Sequence, residues 1–322
     1  MTLRWGILGA SNFARAFMGP AIHAARQSAL VALATSSAEK AIGFSAFCSD
    51  LRVHSDYDAL LADPDIDAVY IPLPNTLHID WTLKALDAGK HVLCEKPIAM
   101  AASDIDRLIA KSDETGLLAA EAYMIVHHPQ WLRAREMLRD GAIGRLAHVE
   151  GTFTYNNRDA ANIRNKAEMG GGGIADIGVY TYGATRWMTG QEPEAITHAD
   201  LTYENGVDVV ARVSARFPGF TAQWMNSTRM YPMQQMTFIG DAGAIRLTAP
   251  FNANVYGEAR VELHQPDLGL RVERFPAANH YILQVEAFSR SVRDGEPFGW
   301  PLEQARGTQA MIDAIHTHAK GV

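Results

Sequence analysis

Short apolar runs alternate with amphipathic stretches over the first third of the chain. The runs are WGILGA, ALVALAT, DAVYIPLP, HVLCE and LLAAEAY. Each has the length and composition of a buried parallel strand. In the stretches between them, apolar residues recur with helical spacing. Residues 76–88 are an example, and Gly89 is expected to end that helix. This alternation is typical of βαβ units. It predicts a doubly wound parallel sheet over residues 1–123.

The pattern changes after Tyr123. A helix is predicted over Pro129–Arg139, then a long strand over RLAHVEGTFTY, and the run GGGG opens another helix. Residues 196–247 read as successive strands, and in Val207–Phe217 apolar and polar positions alternate. A second domain over residues 124–322 is therefore expected.

This second domain is predicted to be built on a large, mainly antiparallel open sheet, and two helices, near residues 280–293 and 301–319, end the chain. The fold class is α/β plus α+β. An apolar sheet face left exposed would favour a homo-oligomer, a dimer or tetramer, formed through this sheet, although helices of the same chain could cover that face instead.

Composition narrows the class of protein. The chain has 322 residues, of which 48% are hydrophobic, and a formal net charge of −7 without basic blocks, so nucleic acid is not an expected partner. No apolar run has the length of a signal segment or a membrane span, so a cytoplasmic protein with no membrane partner is expected. Cys48 and Cys94 have no metal-binding spacing, the twelve histidines do not cluster, and no catalytic metal is expected.

The segment GILGASNFARA follows the first strand and opens a helix, which is the context of a dinucleotide fingerprint. Gly9, Ser11 and Ala14 occupy the three positions that GxGxxG fills with glycine. Ser11 replaces the glycine that lets the backbone approach a pyrophosphate, but its hydroxyl can bind the phosphate together with N–H groups at the helix start, where Asn12 and Phe13 lie. By itself the segment is equally compatible with an ordinary βα turn.

The end of the second strand bears on the choice of cofactor. An NAD site usually has an acid there, whereas the extra phosphate of NADP needs donors and positive charge. The segment ATSSAEK offers Thr35, Ser36, Ser37 and Lys40, with no acid at the strand end. NADP is therefore preferred, with NAD as the alternative, and a solvated helix lysine is the other interpretation of Lys40.

The run HVLC breaks into Glu95, Lys96 and Pro97. Ligands of open α/β sheets bind beyond the carboxyl ends of the strands, so these residues are expected near the reactive ring of a cofactor. Pro97 fixes its own φ and restricts Lys96 to extended or turn conformations. A surface ion pair is the alternative interpretation.

Together, the degenerate fingerprint, AVYIPLPNTLH, CEKP, EAYMIVHHPQW and NIRNKAEMGGGGIADIGVY resemble, in this order, the Gfo/Idh/MocA family of oxidoreductases. The likeness covers essentially the whole chain and favours the subgroup of glucose–fructose oxidoreductase, xylose dehydrogenase and dimeric dihydrodiol dehydrogenase. It implies an N-terminal NAD(P)-binding Rossmann domain and a C-terminal substrate-binding and oligomerisation domain. It also implies further cofactor-binding residues, which are Leu73, Pro74, Asn75 and His78.

The resemblance implies that Lys96 and Tyr180 converge on the substrate beside the nicotinamide. Asp176 and Tyr180 lie four apart in a predicted helix, and hence on one face. A phenol, with an ordinary pKa near 10, is a poor base at neutral pH unless a cation stabilises the phenolate. Tyr180 is therefore expected as the acid/base and Lys96 as its partner, with Glu95 or Asp176 orienting them; direct proton transfer by Lys96 is the alternative.

Asn162 and Arg164 match a motif that lies beside the substrate in the subgroup, and both suit a polyol. Tyr123 is a further substrate-binding candidate. Where the subgroup commonly has Tyr-Arg, this chain has Ile125-Val126, which makes a less polar substrate more plausible.

The expected function is an NAD(P)-dependent oxidoreductase of CH–OH groups that acts on a sugar or a sugar-like cyclic polyol, with an aldose 1-dehydrogenase favoured. The alternatives within enzymes are a trans-dihydrodiol dehydrogenase, a keto-sugar reductase of the anhydrofructose type, and redox-assisted glycoside cleavage. A non-catalytic dinucleotide-binding regulator is a remote alternative, because the chain has both Lys96 and Tyr180.

Overall fold

The five apolar runs of the N-terminal third, together with a short strand over Arg52–His54 that the sequence did not predict, form a six-stranded sheet in a computed structural model that describes residues 2–267 and 269–321. Its strands are β1 (Leu3–Leu8), β2 (Ser28–Ala34), β3 (Arg52–His54), β4 (Ala68–Ile71), β5 (His91–Cys94) and β6 (Ala119–Glu121). All neighbouring strands are parallel, in the order β3-β2-β1-β4-β5-β6. The order reverses between β1 and β4, where such sheets bind dinucleotides. The predicted doubly wound parallel sheet is confirmed.

The C-terminal strands form a second, eight-stranded sheet among the described residues. They are β7 (Leu146–Asn156), β8 (Ala195–Glu204), β9 (Val207–Phe217), β10 (Phe220–Ser227), β11 (Arg229–Gly240), β12 (Ala244–Leu247), β13 (Arg260–Gln265) and β14 (Gly269–Arg274). Their order is β14-β13-β12-β11-β7-β10-β9-β8. β7 and β10 are parallel and the other neighbouring pairs are antiparallel, as predicted.

Helices connect these strands and end the chain. The α-helices are α1 (Gly19–Ala24), α2 (Ala38–Ser45), α3 (Tyr57–Leu61), α4 (His78–Asp87), α5 (Ala102–Thr115), α6 (Pro129–Arg139), α7 (Val179–Thr189), α8 (His280–Asp294) and α9 (Leu302–Lys320). α6 has the predicted bounds, because Pro129 suits the first helical position, where no partner for an N–H is needed. Gly89, which follows α4, has a φ of +76°, so it ends the helix as predicted.

The chain divides into two units. The first comprises the described residues up to Met124 together with His280–Arg306, and the second comprises Ile125–Asn279 and the described residues from Gly307 onward. The sequence assigned residues 280–306 to the second domain, so the structure differs here. The physical reason is that α8 contributes apolar side chains to the core of the first unit. The ring of Phe288 packs on that of Trp5 with 5.0 Å between the ring centroids.

The second sheet has two chemically different faces. The inward side chains of β9 are at most 2% exposed, and they are Val209, Ala211, Val213, Ala215 and Phe217. Trp224 of β10 packs edge-to-face on Tyr182 of α7 with 5.2 Å between ring centroids, so a helix of the same unit covers the apolar side. The other face carries ion pairs such as Arg212–Asp200. The apolar face that favoured pairing is therefore covered, and a homo-oligomer stays a prediction.

None of the helices among the described residues is both long and apolar enough to cross a membrane.

Candidate active site

Gly9 occupies the turn between β1 and the first helix. Its φ is +102°, and its N–H donates to the carbonyl of Ala34, the last residue of β2, at 2.9 Å. A Cβ at this position would lie 2.9 Å from Leu73 Cδ2, in the loop after β4. Both the backbone conformation and the space therefore require glycine.

Ser11 begins the first helical turn. Its Oγ accepts the N–H of Ala14 at 3.0 Å, so the hydroxyl hydrogen is what Ser11 can offer to a phosphate. A π-helical turn over Ala14–Met18 follows. The ring of Phe13 lies 5.6 Å from that of Tyr281 in α8. Tyr281 was not predicted from the sequence, because it lies far from the fingerprint in the chain.

The loop after β2 has the predicted hydroxyls. The Ser37 N–H donates to Thr35 Oγ1 at 3.1 Å, and Ser37 Oγ accepts the Lys40 N–H at 3.2 Å, which caps α2. Ser36 and Lys40 are exposed. The side chain of Arg15 lies against α2, where a Cβ on Gly43 would be 3.6 Å from Arg15 Nε. Arg15 is a cation beside α2 that was not identified from the sequence.

His78 links the loops after β4 and β5. It is fully buried; Nδ1 lies 2.7 Å from the Pro97 carbonyl oxygen and Nε2 lies 2.8 Å from that of Leu73, both at hydrogen-bond distance. Burial lowers the pKa of His78. Its side chain holds the two loops together, so its role in the predicted cofactor site is one of positioning. Pro74 and Asn75 lie on the same loop, beside the start of α4.

Glu95 is held from two directions. Tyr70 donates its O–H to Glu95 Oε1 at 2.6 Å, and the Lys96 N–H donates to Oε2 at 3.2 Å. Burial and the Glu95 carboxylate raise the pKa of Tyr70, so its phenol stays protonated. The Lys96–Pro97 peptide is cis. Lys96 is half-buried at the carboxyl end of β5, as the sequence predicts.

Tyr180 lies in the second unit, in the first turn of α7, and its side chain is 6% exposed. The rings of Phe153 and Phe251 flank it at 5.8 and 5.7 Å between centroids. These two rings stack on each other at 4.8 Å. The aromatic packing fixes the direction of the phenol.

Asp176 precedes Tyr180 in a π-helical turn, Ile174–Gly178, where the sequence predicts a continuous α-helix. Tyr155 donates its O–H to Asp176 Oδ2 at 2.6 Å, and Arg164 Nε donates to Oδ1 at 2.9 Å. Burial and the Asp176 carboxylate strongly raise the pKa of Tyr155, so this phenol is a proton donor to Asp176. The sequence analysis missed Tyr155, which lies on β7.

The glycine run before this turn permits two close approaches. A Cβ on Gly171 would lie 2.5 Å from the carbonyl oxygen of Arg164, and one on Gly173 would lie 3.1 Å from Asp208 Oδ2. Asp208 accepts the Ile174 N–H at 2.7 Å. The run therefore brings the Arg164 loop and the helix start together.

Asn162 shapes the loop that carries Arg164. Its Oδ1 accepts the Arg164 N–H at 3.1 Å. Arg229, whose side chain is 8% exposed, donates to Asn165 Oδ1 at 3.0 Å and so anchors the same loop. Asn162 and Arg164 are the two predicted substrate contacts in this loop. The Arg164 guanidinium pairs with Asp176, whereas the Asn162 side chain accepts a backbone N–H of the loop itself.

Tyr123 differs from the expectation of a substrate contact. Its ring is fully buried in the first unit and stacks on Trp300 at 4.1 Å. Ile125 and Val126 are buried as well, so neither position presents the polar groups that the subgroup commonly has there. His128 is buried at the start of α6, where its Nδ1 accepts the Gln130 N–H at 3.1 Å.

The predicted residues thus form one group in each unit. The first group lies at the carboxyl ends of β1, β2, β4 and β5, and includes Lys96. The second group joins Asp176 to Arg164 and Tyr155 beside Tyr180. The convergence of Lys96 and Tyr180 stays a prediction. Within residues 2–267 and 269–321, no three His, Cys, Asp or Glu side chains are arranged to hold a metal ion.

Both parts of the chain match known protein families. Residues 3–123 match an oxidoreductase family with an NAD-binding Rossmann fold, and residues 131–246 match the GFO/IDH/MocA C-terminal domain. Together these matches span most of the chain.

Individual relatives are similar over nearly their full length. A dTDP-3,4-didehydro-2,6-dideoxy-alpha-D-glucose 3-reductase of Actinomadura kijaniata is 32% identical over 99% of this chain and 96% of its own. A D-xylose 1-dehydrogenase (NADP(+)) of Haloferax volcanii is 31% identical over 99% and 98%. The crystal structure of a 3-ketoreductase from Actinomadura kijaniata with NADP and TDP-benzene has a TM-score of 0.90, 31% identity and coverage of 99% and 98%. This chain therefore belongs to the Gfo/Idh/MocA family of oxidoreductases, as the order of its motifs predicts.

Proposed function

We propose that this protein is an NADP-preferring oxidoreductase that interconverts a hydroxyl and a carbonyl on a sugar or a sugar-like cyclic polyol. The observation that carries the proposal is the Tyr155–Asp176–Arg164 cluster beside Tyr180, since a polyol requires both donors and acceptors, and the cluster combines a guanidinium with several N–H donors, a carboxylate and a phenol oxygen that can accept. Membership of the family supports the reaction class.

The residues of the first unit fit NADP. The turn at Gly9 has a positive φ and no space for a side chain, as the tight turn of a dinucleotide fingerprint requires. At the end of β2, Thr35, Ser37 and Lys40 offer hydroxyls and positive charge rather than a carboxylate. A Haloferax volcanii relative is named an NADP(+) enzyme, which supports the same choice.

The proposed chemistry divides among few groups. NADP, when bound, supplies or accepts the hydride. Tyr180 takes the hydroxyl proton during oxidation and returns it during reduction, and the Lys96 ammonium stabilises the phenolate or polarises the carbonyl. Glu95, which Tyr70 holds in place, orients Lys96 in the first unit. Asp176, which Tyr155 holds in place, orients Tyr180 in the second unit. Direct proton transfer by Lys96 is the alternative.

Replacement of Tyr180 tests this assignment. Tyr180→Phe should lower kcat by about 10²- to 10⁴-fold while the dissociation constant for NADPH stays unchanged, because only the proton-transfer group is lost. Turnover is followed by cofactor absorbance with aldoses, inositols, keto-sugars and dihydrodiols. Tyr231→Phe is the control, since Tyr231 lies in the same unit and is 87% exposed.

Two outcomes would change the proposal. Near-full turnover by Tyr180→Phe with intact NADPH binding would contradict the role of Tyr180, and a loss confined to Lys96→Met would then assign the proton transfer to Lys96. Tight NADPH binding with no turnover of any substrate class would favour the remaining alternative, a non-catalytic dinucleotide-binding regulator.

Reduction of a keto-sugar is a second candidate. The similarity to the Actinomadura kijaniata 3-reductase, over 99% of the chain, favours it. The assay should therefore be run in both directions, and a reduction rate far above the oxidation rate would favour this candidate over an aldose 1-dehydrogenase.

A further inference from the structure

A buried carboxylate at the end of β6 is bonded to the turn that carries Lys96. Glu121 is 2% exposed. Its Oε1 accepts the N–H of Ile98 at 2.9 Å, and its Oε2 accepts the indole N–H of Trp300 at 2.8 Å. Burial of an ionised carboxylate is costly unless hydrogen bonds and opposite charge compensate it. The Ile98 and Trp300 hydrogen bonds provide part of this compensation, and an opposite charge would provide the rest.

An opposite charge, that of Lys96, acts on Glu121. Burial raises the pKa of Glu121, whereas the Ile98 N–H, the Trp300 indole and the Lys96 ammonium act in the opposite direction. Glu121 is therefore within electrostatic reach of Lys96. Glu95, by contrast, carries the same negative charge as Glu121 and raises the pKa of Glu121.

The surroundings of Glu121 are rigid. β5 and β6 pair in register so that Glu121 lies opposite Cys94, two residues before Lys96. Trp300 is fully buried, and its ring stacks on Tyr123 with 21° between the ring planes. The carboxylate is thus fixed on the sheet side by strand pairing and on the other by an indole that cannot rotate freely.

We propose that Glu121 is a positioning residue that fixes the turn from Glu95 to Ile98 and thereby sets the place of the Lys96 ammonium. This inference rests on the proposed function, because it assigns Lys96 to the reaction. It also gives Trp300, from the returning segment His280–Arg306, an indirect part in the site.

Glu121→Gln tests the proposal, because it keeps the shape, removes the charge and leaves one acceptor oxygen where the carboxylate has two. In the protein without cofactor, hydrogen exchange of the peptide 95–99 should become about 10-fold faster, since a charge-assisted hydrogen bond at Ile98 is weakened. Glu286→Gln is the matched control. Glu286 is a buried glutamate of the same unit that pairs with Arg26 instead, at 3.0 Å, and its variant should leave this peptide unchanged.

The kinetic readout separates positioning from general stability. Glu121→Gln should lower kcat by about 10- to 100-fold with less than about twofold change in the NADPH dissociation constant. In a Lys96→Met background, whose residual turnover is measured over long incubations, the same substitution should have an effect below about twofold.

Each remaining outcome overturns one claim. If Lys96→Met leaves turnover intact, the proposed function is wrong about Lys96. If Lys96→Met loses turnover but Glu121→Gln costs the same factor in both backgrounds, only the positioning role of Glu121 is wrong. Unchanged exchange of the peptide 95–99 in Glu121→Gln would overturn that role as well.

Discussion

We predict that cofactor preference depends on a few side chains at the end of β2. Lys40 is exposed one turn into α2, and Ser37 caps that helix through the Lys40 N–H. An ammonium at this position attracts the 2′-phosphate of NADP more strongly than the neutral 2′-hydroxyl of NAD. The exposed position keeps the effect modest, because solvent and salt screen the charge.

We expect Lys40→Ala to raise KM for NADPH by about 3- to 10-fold and to leave KM for NADH unchanged. The effect should shrink as salt is added. Lys111→Ala is the control, since Lys111 lies on α5 and pairs with Asp87 at 2.6 Å. Equal Michaelis constants for both cofactors that do not change in Lys40→Ala would remove the basis for the NADP preference.

At single positions, the sequence predicted those residues whose role follows from the amino-acid type and from a place directly after a strand. Gly9 is such a residue, because a glycine after a first strand has few other uses. Tyr155 and Glu121 could not be predicted this way. Tyr155 binds Asp176, 21 residues away, and Glu121 binds Trp300, 179 residues away, and no local pattern records either contact.

At the level of elements, periodic patterns predicted most of the structure. β9 and α6 have the expected bounds, because alternation and an N-terminal proline are strong local signals. The π-helical turn Ile174–Gly178 was predicted as α-helix, since apolar spacing does not distinguish the two. Its start is set by Asp208, which lies on a distant strand and accepts the Ile174 N–H.

The start of α6 makes stability depend on pH. His128 is the N-cap of that helix. Burial lowers the pKa of His128 to about 4, although the hydrogen bond to the Ala278 carbonyl acts in the opposite direction. The unfolded chain therefore binds the proton more readily than the folded one between about pH 4 and pH 6.5. The stabilisation is fully present above about pH 6.5 and is lost as pH falls towards 4, by up to roughly 3 kcal/mol.

His128→Asn should remove this pH dependence, because asparagine can cap the helix and does not titrate. The free energy of unfolding in urea should fall less between pH 7 and pH 5 than in the unaltered protein. His264→Asn, at an exposed position of the same unit, should keep the original slope. An unchanged slope in His128→Asn would show that another group causes the acid sensitivity.

On the scale of the whole molecule, the boundary of the first unit was the hardest feature to predict. The sequence marks where the strand pattern changes, near Tyr123, but not that His280–Arg306 returns to the first unit. That return completes its core. Phe288 packs on Trp5, Glu286 pairs with Arg26, and Trp300 binds Glu121.

A fragment of residues 1–124 should therefore fail to fold cooperatively, because it leaves the carboxylate of Glu121 without the indole and exposes the Trp5 ring to water. The same residues joined by a flexible linker to residues 280–306 should unfold cooperatively on heating and bind NADPH. Circular dichroism and cofactor fluorescence measure both properties. The pair of fragments isolates the returning segment, since they differ only in its presence and the linker. If the shorter fragment melts as sharply as the joined one and binds NADPH as tightly, the core of the first unit is complete without helix α8, and the return of the chain serves the second unit instead.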